Sequence, residues 1–369
     1  MKITRIAVTQ HEIPLDPPFL PTWDSRPRPR YGATIVRVET DEGLVGFGSG
    51  DAMPGFAGHE DLFVGRDPRD LERHFAVIAN LSFHYGKCWP LDLALWDLAG
   101  KAAGKPVWRM LGGADPALPA YASLGQRRGR EETVEAVGQR IAEGFRAVKL
   151  RFWREDWREE VRTVEAVRKA HGPGIALMVD CNQAWRMPWD TAPPRSADEA
   201  LAVIRALEPL GLTWIEEPVF RGNYEGLRRL RREGRIPVAG GELTRETHES
   251  RFLVESGCYD VLQADAALAG GISGLAPVAR RCRALGVTFT PHTWGNGVMV
   301  AAALQLTVGV GGAPWIELPH DPPWFGPAAR DFMLTASLTP DARGVLHLDD
   351  TPGLGFTIDE ARLAATQVA

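Results

Sequence analysis

The fold is decided by the stretch ALMVDCN at residues 176–182, in which a short apolar run ends in a carboxylate and an amide. Such a run, followed at once by polar residues, is typical of a buried strand. Seven more runs of three or four residues share this design, at 121–124, 147–150, 212–215, 236–239, 261–263, 287–290 and 314–316. Longer segments with helical periodicity separate them, which predicts parallel strands that alternate with helices. Eight such strands suit an α/β barrel of the TIM type.

The segments on either side of these runs have a different character. Residues 34–48 alternate between apolar and polar side chains around a turn at 41–43, which predicts a β-hairpin. Residues 69–112 are predicted to be helical, with one amphipathic helix over 90–111 that stops at a pair of glycines. We therefore predict an α+β unit, the barrel, and a C-terminal segment that rejoins the first unit, at 1–115, 116–325 and 326–369.

Composition excludes several classes of protein. With 44% apolar and 24% charged residues the chain is neither disordered nor collagen-like, and 369 residues fit two domains or one large barrel. Its 42 basic and 47 acidic residues give a net charge of −5, so no overall basic field attracts nucleic acid. The chain has no run of about 18 uncharged apolar residues, so we expect no membrane span.

The cell compartment is predicted from two further observations. No long apolar stretch follows the first residues, so we expect no signal peptide. The four cysteines lie far apart and form neither a zinc motif nor a disulfide framework. This pattern is typical of a reducing compartment and predicts a cytoplasmic protein.

Each predicted barrel strand is accompanied by residues that can take part in chemistry. Lys149 and Arg151 lie on the second strand, and Asn182 follows the third. From the third strand onward, at intervals of 36, 26, 23, 27 and 25 residues, the strands are followed by Asp180, Glu216, Glu242, Asp265, His292 and Glu317. Because parallel barrel strands place their C-terminal ends on one rim, we expect these side chains to converge.

Three of these residues, Asp180, Glu216 and Glu242, are carboxylates that repel one another when they meet at one rim. A divalent cation removes this repulsion. A set of oxygen ligands without Cys or His favours Mg²⁺ over zinc. The alternative for any one of these acids is a helix cap or a solvated loop, but the regular spacing of the set favours a Mg²⁺ site.

Taken together, the motifs resemble those of the enolase superfamily, mandelate racemase subgroup, along nearly the whole chain. The matching motifs are ALWDLAGK at 94–101, LGG at 111–113, KLR at 149–151, DCN at 180–182, WIEEP at 214–218, GGE at 240–242, DAALAGG at 265–271, PH at 291–292 and WIE at 315–317. Each motif alone is weak, whereas the full set in this order is specific. The resemblance implies a (β/α)7β modified TIM barrel with an α+β capping domain formed by both ends of the chain. It also implies that the three acids bind Mg²⁺.

The resemblance implies roles for the remaining site residues in removing a proton next to a carboxylate. It makes His292 the general base and Asp265 the residue that orients it. Lys149 would place a cation beside the substrate carboxylate. Glu317 would donate a hydrogen bond to a substrate oxygen, which requires a raised pKa. Asn182 would contact the substrate.

Arg151 departs from the subgroup pattern. The racemases of the subgroup carry Lys-x-Lys on the second barrel strand, and the second Lys is a base on the face opposite to the His. Because arginine stays protonated at any working pH, two-base racemisation loses one base here. We therefore expect a one-base dehydratase of a sugar acid, an aldonate or aldarate, in which His292 forms an enediolate. Loss of the neighbouring hydroxyl then gives a 2-keto-3-deoxy acid, so the enzyme would be a carbon–oxygen hydro-lyase.

Three alternatives differ from this expectation. A racemase or epimerase of a 2-hydroxy acid is opposed by Arg151. A cycloisomerase is opposed because its usual strand motifs keep Lys at both positions. A non-catalytic protein on a retained barrel is opposed by the intact set of acids and by the Asp265 and His292 pair.

Two stretches of the first unit are candidates for contact with the distal end of the substrate. One, at 18–30, contains Trp23 and Arg26, and its arginines suit a second carboxylate; the alternative is a solvated basic loop. The other lies at 53–59. Residues 185–194 are predicted to form a long loop after the third strand that reaches the site. As partners we expect a small carboxylate substrate and a second copy of the chain in a symmetric homo-oligomer, but no nucleic acid or membrane.

Overall fold

The computed structural model describes residues 1–368. The chain begins with an antiparallel sheet of β1 (Ile3–Phe19), β2 (Arg28–Thr40) and β3 (Val45–Gly50). The predicted turn joins β2 to β3, and the Gly43 amide donates to the Thr40 carbonyl oxygen at 3.2 Å. Gly43 has a φ of 80°, in the left-handed region that glycine adopts without strain. The predicted hairpin is confirmed.

Three helices follow the sheet: α1 (Leu71–Tyr85), α2 (Trp89–Ala103) and α3 (Val107–Met110). The prediction of one amphipathic helix over 90–111 is wrong. Gly104, at a φ of 61°, ends α2, and Pro106 precedes the separate turn of α3. The helix is also not amphipathic, because most of α2 is buried on all sides.

Helix α2 is buried because it lies between the capping sheet and the barrel. On the sheet side, a Cβ at Gly48 would lie 2.0 Å from the carbonyl oxygen of Pro90, so only glycine permits this approach. On the barrel side, the indole N–H of Trp96 donates to the Ser273 hydroxyl at 2.8 Å. The Ser273 amide donates to Asp92 at 3.0 Å. These contacts hold the capping domain on the barrel.

Eight parallel strands form the barrel: β4 (Ala117–Ser123), β5 (Ala147–Arg151), β6 (Ala176–Asp180), β7 (Trp214–Glu216), β8 (Val238–Gly240), β9 (Val261–Leu262), β10 (Thr288–Phe289) and β11 (Ile316–Pro319). They pair in chain order from β4 to β10, and β11 returns to pair with β4. Beyond β10, the Thr290 hydroxyl donates to the carbonyl oxygen of Trp315, next to β11, at 2.7 Å. The strands match the eight predicted runs, so the modified TIM barrel is confirmed.

Seven helices connect the strands: α4 (Arg130–Ala142), α5 (Trp157–His171), α6 (Ala197–Leu207), α7 (Tyr224–Glu233), α8 (Thr247–Glu255), α9 (Gly271–Ala284) and α10 (Gly297–Val310). All of α10 is buried. Its N-cap, Asn296, accepts from the first amides of the helix and donates to the Ser49 hydroxyl of β3 at 2.7 Å. The last barrel helix is thus also tied to the capping sheet.

The C-terminal segment contains α11 (Pro327–Arg330), β12 (Val345–His347), α12 (Glu360–Thr366) and β13 (Gln367–Val368). Strand β12 pairs antiparallel with β4 of the barrel, and β13 pairs antiparallel with β1. The segment therefore contacts both units and ends in the capping sheet. The domain boundaries after 115 and 325 stay predictions. Within residues 1–368, none of the helices has the length and apolar character that crossing a membrane requires.

Candidate active site

The three predicted metal ligands lie side by side at the C-terminal rim of the barrel. Asp180 ends β6 and Glu216 ends β7, and the strand register pairs these two residues. Glu242 follows β8 after a turn in which Gly241 has a φ of 96°, a conformation that glycine favours. One carboxylate oxygen from each residue lies within 4.8 Å of the others, and all three residues are buried. The predicted convergence is confirmed, and we call these three residues the acid cluster.

The protein does not satisfy every oxygen of the acid cluster. Oε1 of Glu242 accepts a hydrogen bond from Nε1 of Trp185 at 2.8 Å, whereas its buried Oε2 has no hydrogen-bond partner within residues 1–368. Burial raises the pKa of Asp180 and of Glu216 in spite of the cations nearby. Converging buried carboxylates with an unpartnered oxygen are a suitable donor set for a hard divalent cation such as Mg²⁺.

Two buried cations from β5 balance these acids. Nζ of Lys149 lies 2.8 Å from Oε1 of Glu216 and 2.8 Å from Oε1 of Glu317. Arg151 forms an ion pair with Asp180 through Nη1, and its Nη2 lies 3.3 Å from Oε1 of Glu317. Burial disfavours both cations, but the surrounding carboxylates outweigh it and raise the pKa of Lys149 and of Arg151. Both side chains are therefore positively charged at neutral pH.

The charges around Glu317 act against the raised pKa that donation to a substrate oxygen requires, so that role stays a prediction. Burial alone raises its pKa, but the charges of Lys149, His292 and Arg151 together lower the pKa below its ordinary range. The amide of Thr293 also donates to Oε2 at 2.8 Å. Glu317 is therefore an anion that accepts hydrogen bonds in this arrangement.

His292 and Asp265 are brought together as the sequence predicts. Nδ1 of His292 lies 2.9 Å from Oδ2 of Asp265, and both residues are buried. On the other side of the ring, Nε2 lies 3.6 Å from Oε2 of Glu242. Burial lowers the pKa of His292, but Glu242, Glu317 and Asp265 outweigh it and raise the pKa to about 9. The imidazole is thus oriented with Nε2 towards the acid cluster.

Two contacts of the acid cluster were not predicted. Nε2 of Gln263 donates to Oε2 of Glu216 at 2.8 Å. Gln263 ends one of the predicted runs, so its strand-end position was a usable signal. Trp185 donates to Glu242, 57 positions away, so the loop at 185–194 reaches the site as predicted, but its contact with Glu242 was not predicted.

Asn182 lies beside Arg151 at the edge of the site. Its Oδ1 is 3.4 Å from Nη1 of Arg151, and its Nδ2 donates to the carbonyl oxygen of Phe152 at 2.9 Å. Asn182 and Glu217, each just beyond a residue of the acid cluster, have φ values of 49° and 46°. This left-handed backbone turns the chain sharply at both strand ends. Burial, with the nearby Glu242 charge, also raises the pKa of Glu217 well above its usual value.

The loop between β1 and β2, which we call the cap loop, reaches the site through Trp23. The guanidinium carbon of Arg151 lies 4.8 Å from the centre of the Trp23 ring and 5.1 Å from that of Trp294, so two indoles flank this cation. Arg26 is exposed and stacks instead on Trp189, with its guanidinium carbon 3.9 Å from the ring centre. The structure brings Trp23 to the site, whereas Arg26 lies on the outer part of this loop.

The other candidate stretch of the cap, at 53–59, packs inward. Met53 and Phe56 are buried in the core of the capping domain together with Phe63. The ring of His59 lies against that of Tyr85, with 4.6 Å between the ring centres. These side chains support the capping domain itself.

Sequence comparison agrees with this architecture. Residues 3–112 match the sequence model of the mandelate racemase / muconate lactonizing enzyme N-terminal domain, and residues 132–362 match that of the enolase C-terminal domain-like family. The chain belongs to the mandelate racemase subgroup of the enolase superfamily. The predicted resemblance is confirmed.

Relatives of this superfamily member carry more than one activity in their names. It is 32% identical to D-galactarolactone cycloisomerase of Agrobacterium fabrum, over 98% of each chain. It is 31% identical to D-galactonate dehydratase of Klebsiella pneumoniae, over 78% of this chain and 77% of that one. Similarity at this level supports an enzyme of the superfamily and leaves the reaction open between elimination and its alternatives.

A solved structure supports the fold and the cofactor. D-glucarate dehydratase from Agrobacterium tumefaciens, in complex with magnesium, superposes with a TM-score of 0.86 at 26% identity, and the match covers 100% of both chains. The acid cluster of this superfamily member is a buried group of three carboxylates that could hold a metal ion. The prediction of Mg²⁺ as the cofactor is confirmed at the level of the superfamily.

Proposed function

We propose that this enolase superfamily enzyme is a Mg²⁺-dependent dehydratase of a sugar acid, an aldonate or an aldarate, and that the acid cluster holds the Mg²⁺. The proposal depends on the residues at the two positions where racemases of the subgroup carry a base. His292 is buried against Asp265, whereas Arg151 is held as a cation by Asp180 and Glu317. One base supports elimination, but two opposed bases are needed for racemisation by proton transfer across the substrate.

The first step removes the proton on the carbon next to the substrate carboxylate. Nε2 of His292 accepts this proton from its neutral form, while Asp265 holds the ring through Nδ1. A cation on the acid cluster would offset the charge of Glu242, the first of the charges that raise the pKa of His292, and would so favour the neutral base. The electrons of the C–H bond move into the carboxylate and give an enediolate with a second negative charge. Lys149 and Arg151 stabilise that charge, because buried cations act strongly where water is excluded. When bound, Mg²⁺ would supply Lewis-acid stabilisation of the negative charge on the substrate carboxylate.

The second step removes the hydroxyl group on the adjacent carbon. The electrons of the enediolate form a double bond as the C–O bond breaks. The imidazolium of His292 returns its proton to the leaving oxygen, so one water molecule is lost. The remaining enol becomes a 2-keto-3-deoxy acid, and the step requires no oxidant or reductant.

A cycloisomerase is the second candidate, because the 32% identity to D-galactarolactone cycloisomerase extends over 98% of both chains. This candidate predicts that a sugar lactone is consumed. A racemase or epimerase of a 2-hydroxy acid is less well supported, since Arg151 would have to lose a proton that four buried acids hold on it.

The test is a panel of aldonic and aldaric acids, together with D-galactarolactone, incubated with the enzyme and Mg²⁺ in D₂O. We expect 2-keto acid from one or a few acids, and loss of this product in His292→Asn. Deuterium at the α-carbon of recovered, inverted substrate without keto acid would contradict the dehydratase and support an epimerase. Consumption of the lactone alone would support the cycloisomerase.

The remaining predictions concern the setting of the enzyme. We propose a cytoplasmic, symmetric homo-oligomer that acts on a small carboxylate. Multi-angle light scattering of the purified protein measures its mass in solution, and a mass equal to the 40.4 kDa chain would contradict the oligomer.

A further inference from the structure

A cleft of about 680 Å³ opens between the cap loop and the loops that follow β5 and β6. Its lining includes Thr22, Trp23 and Asn182. Trp23 and Asn182 are also the residues that contact Arg151, as described above. The cleft therefore lies beside Arg151, and its volume is typical of sites that hold ligands larger than one short acid chain.

Aromatic rings form much of the cleft wall: Trp23, Trp153, Trp157, Trp185 and Trp189. Hydrogen bonds from the indole nitrogens fix two of these rings. Trp185 donates to Glu242, and Trp189 donates to Oδ1 of Asp24 at 3.0 Å. Guanidinium groups stack on four of the rings: Arg26 on Trp189, Arg151 on Trp23, Arg154 on Trp153 and Arg158 on Trp157. Trp153 and Trp189 keep 37% and 39% of their surface exposed. The wall thus offers indole surface that the protein leaves partly uncovered.

Polar groups with unused hydrogen-bonding capacity lie between these rings. Nη1 of Arg195 is buried and has no hydrogen-bond partner within residues 1–368. In the same part of the chain, Arg127 donates hydrogen bonds only to the backbone carbonyls of Pro21 and Asp24. A ligand that fits the cleft must therefore combine an apolar face with several hydrogen-bond acceptors.

We infer that the cleft is a subsite for a second sugar ring, so that the preferred substrate is an acid sugar that carries a pyranose in glycosidic linkage, an aldobionic acid. One face of a pyranose consists of C–H bonds that pack on indole rings, while its hydroxyl groups can bond to Arg195 and Arg127. A purely apolar ligand would leave the buried Arg195 nitrogen unpaired, at a cost in binding free energy. This inference rests on the proposed function and narrows its substrate.

The second ring is compatible with the proposed reaction. Elimination breaks the C–H bond at C2 and the C–O bond at C3, and one water molecule leaves. A pyranose attached at C4 or beyond keeps its glycosidic bond throughout. The product is then a 2-keto-3-deoxy acid that still carries the second ring.

The test uses disaccharides oxidised at the reducing end, each paired with the aldonate that lacks the second ring. Binding to the Mg²⁺-loaded His292→Asn enzyme is measured by calorimetry, so that affinity is read without turnover. Trp189→Ala and Trp153→Ala, added to this variant, remove partly exposed rings of the cleft. The control is Phe83→Ala on α1, a side chain that is 77% exposed and outside the cleft.

We expect at least one aldobionate to bind about tenfold more tightly than its parent aldonate. This advantage should disappear in at least one tryptophan variant and persist in Phe83→Ala. Equal binding of every pair, or an advantage that survives in both tryptophan variants, would overturn the inference. So would a preference for aldarates that is lost in Arg195→Gln but kept in the tryptophan variants, because the cleft would then bind a distal carboxylate.

Turnover by the unsubstituted enzyme separates this inference from the proposed function. Ring-dependent binding without keto acid or solvent exchange from any compound would support the subsite and contradict the dehydratase. Keto acid from free aldonates at the same kcat/KM as from their aldobionates would contradict the subsite and support the dehydratase. Keto acid mainly from an aldobionate would support both.

Discussion

The acid cluster and the cleft beside it are built in opposite ways. Lys149, Asp180 and Glu216 are fully buried, and each opposite charge is within contact distance. In the cleft, the tryptophans are partly exposed, and Arg195 keeps a nitrogen without a partner. The acids are attached to strand ends, whereas the cleft is built from loops. The proposed chemistry is thus placed on strand ends, and the proposed recognition mainly on loops, which tolerate sequence change.

Among the substitutions that test this comparison, His292→Asn should have the largest effect on kcat. General base catalysis typically contributes about 10²–10⁴-fold, so we expect kcat for keto acid formation to fall at least ~10²-fold. Thermal unfolding should stay close to that of the unsubstituted enzyme, because Asn can still donate to Asp265. Trp153→Ala, on the cleft side, should reduce kcat far less. A similar loss in both variants would contradict the separation of chemistry from recognition.

Arg151→Lys tests the argument from Arg151, because it restores the Lys-x-Lys pattern in which the second lysine is a base. We expect deuterium from D₂O, with inversion, at the α-carbon of recovered substrate, together with roughly tenfold slower dehydration. NMR of the recovered acid measures both. Arg151→Gln is the matched control and should slow dehydration without exchange. Inverting exchange by the unsubstituted enzyme would contradict the argument from Arg151.

Trp185 belongs to both regions, since it lines the cleft and donates to Glu242. Substitution of a residue that orients a metal ligand typically reduces metal affinity about 10–100-fold. Trp185→Phe should therefore weaken Mg²⁺ binding about tenfold. Calorimetry without substrate measures this. Trp153→Phe, which has no bond to the acid cluster, should bind Mg²⁺ as the unsubstituted enzyme does. Equal affinity in Trp185→Phe would mean that the indole bond does not position Glu242.

A separate prediction concerns Asp92, a buried carboxylate on α2 that lies outside the acid cluster. Burial raises its pKa from 3.8 to about 6, against hydrogen bonds from Ser273. Because the folded state favours the neutral form, Asp92 contributes stability below about pH 4, and this contribution is lost as pH rises through 6. A shift of this size corresponds to about 2–3 kcal/mol in the free energy of unfolding.

Asp92→Asn removes this titration. Its free energy of unfolding, measured with urea between pH 4 and 7, should change less with pH than that of the unsubstituted protein. The difference between the two proteins should therefore move in favour of Asp92→Asn as pH rises. Parallel pH profiles would show that Asp92 ionises in the folded state as readily as in the unfolded chain.

Much of the site follows from local sequence. Asp180, Glu216 and Glu242 were predicted as neighbours because each ends or follows a parallel strand, and barrel geometry brings such positions to one rim. His292 and Asp265 were placed by the same spacing, and their bond confirms their proximity. These predictions hold because each short apolar run shows where a strand ends, and the runs follow one another in the order in which the strands pair.

Other features depend on contacts with residues that are remote in sequence. Helix α2 was predicted to be amphipathic from its own periodicity, but two layers pack on it and bury nearly every side chain. The ionisation of Glu317 depends on Lys149 and Arg151, whose distances no pattern reveals. Burial and charge act over a few ångströms in space, and the packing of the whole chain sets those distances.

The sequence by itself therefore determined the barrel, the capping sheet and the residues that meet at the rim, because strand periodicity and the common direction of parallel strands are local and regular. Only the tertiary structure decided that Glu317 is an anion, that Trp185 holds Glu242, and that tryptophans from separate loops enclose a cleft. These properties depend on distances between irregular segments, and such distances follow from packing of the whole chain.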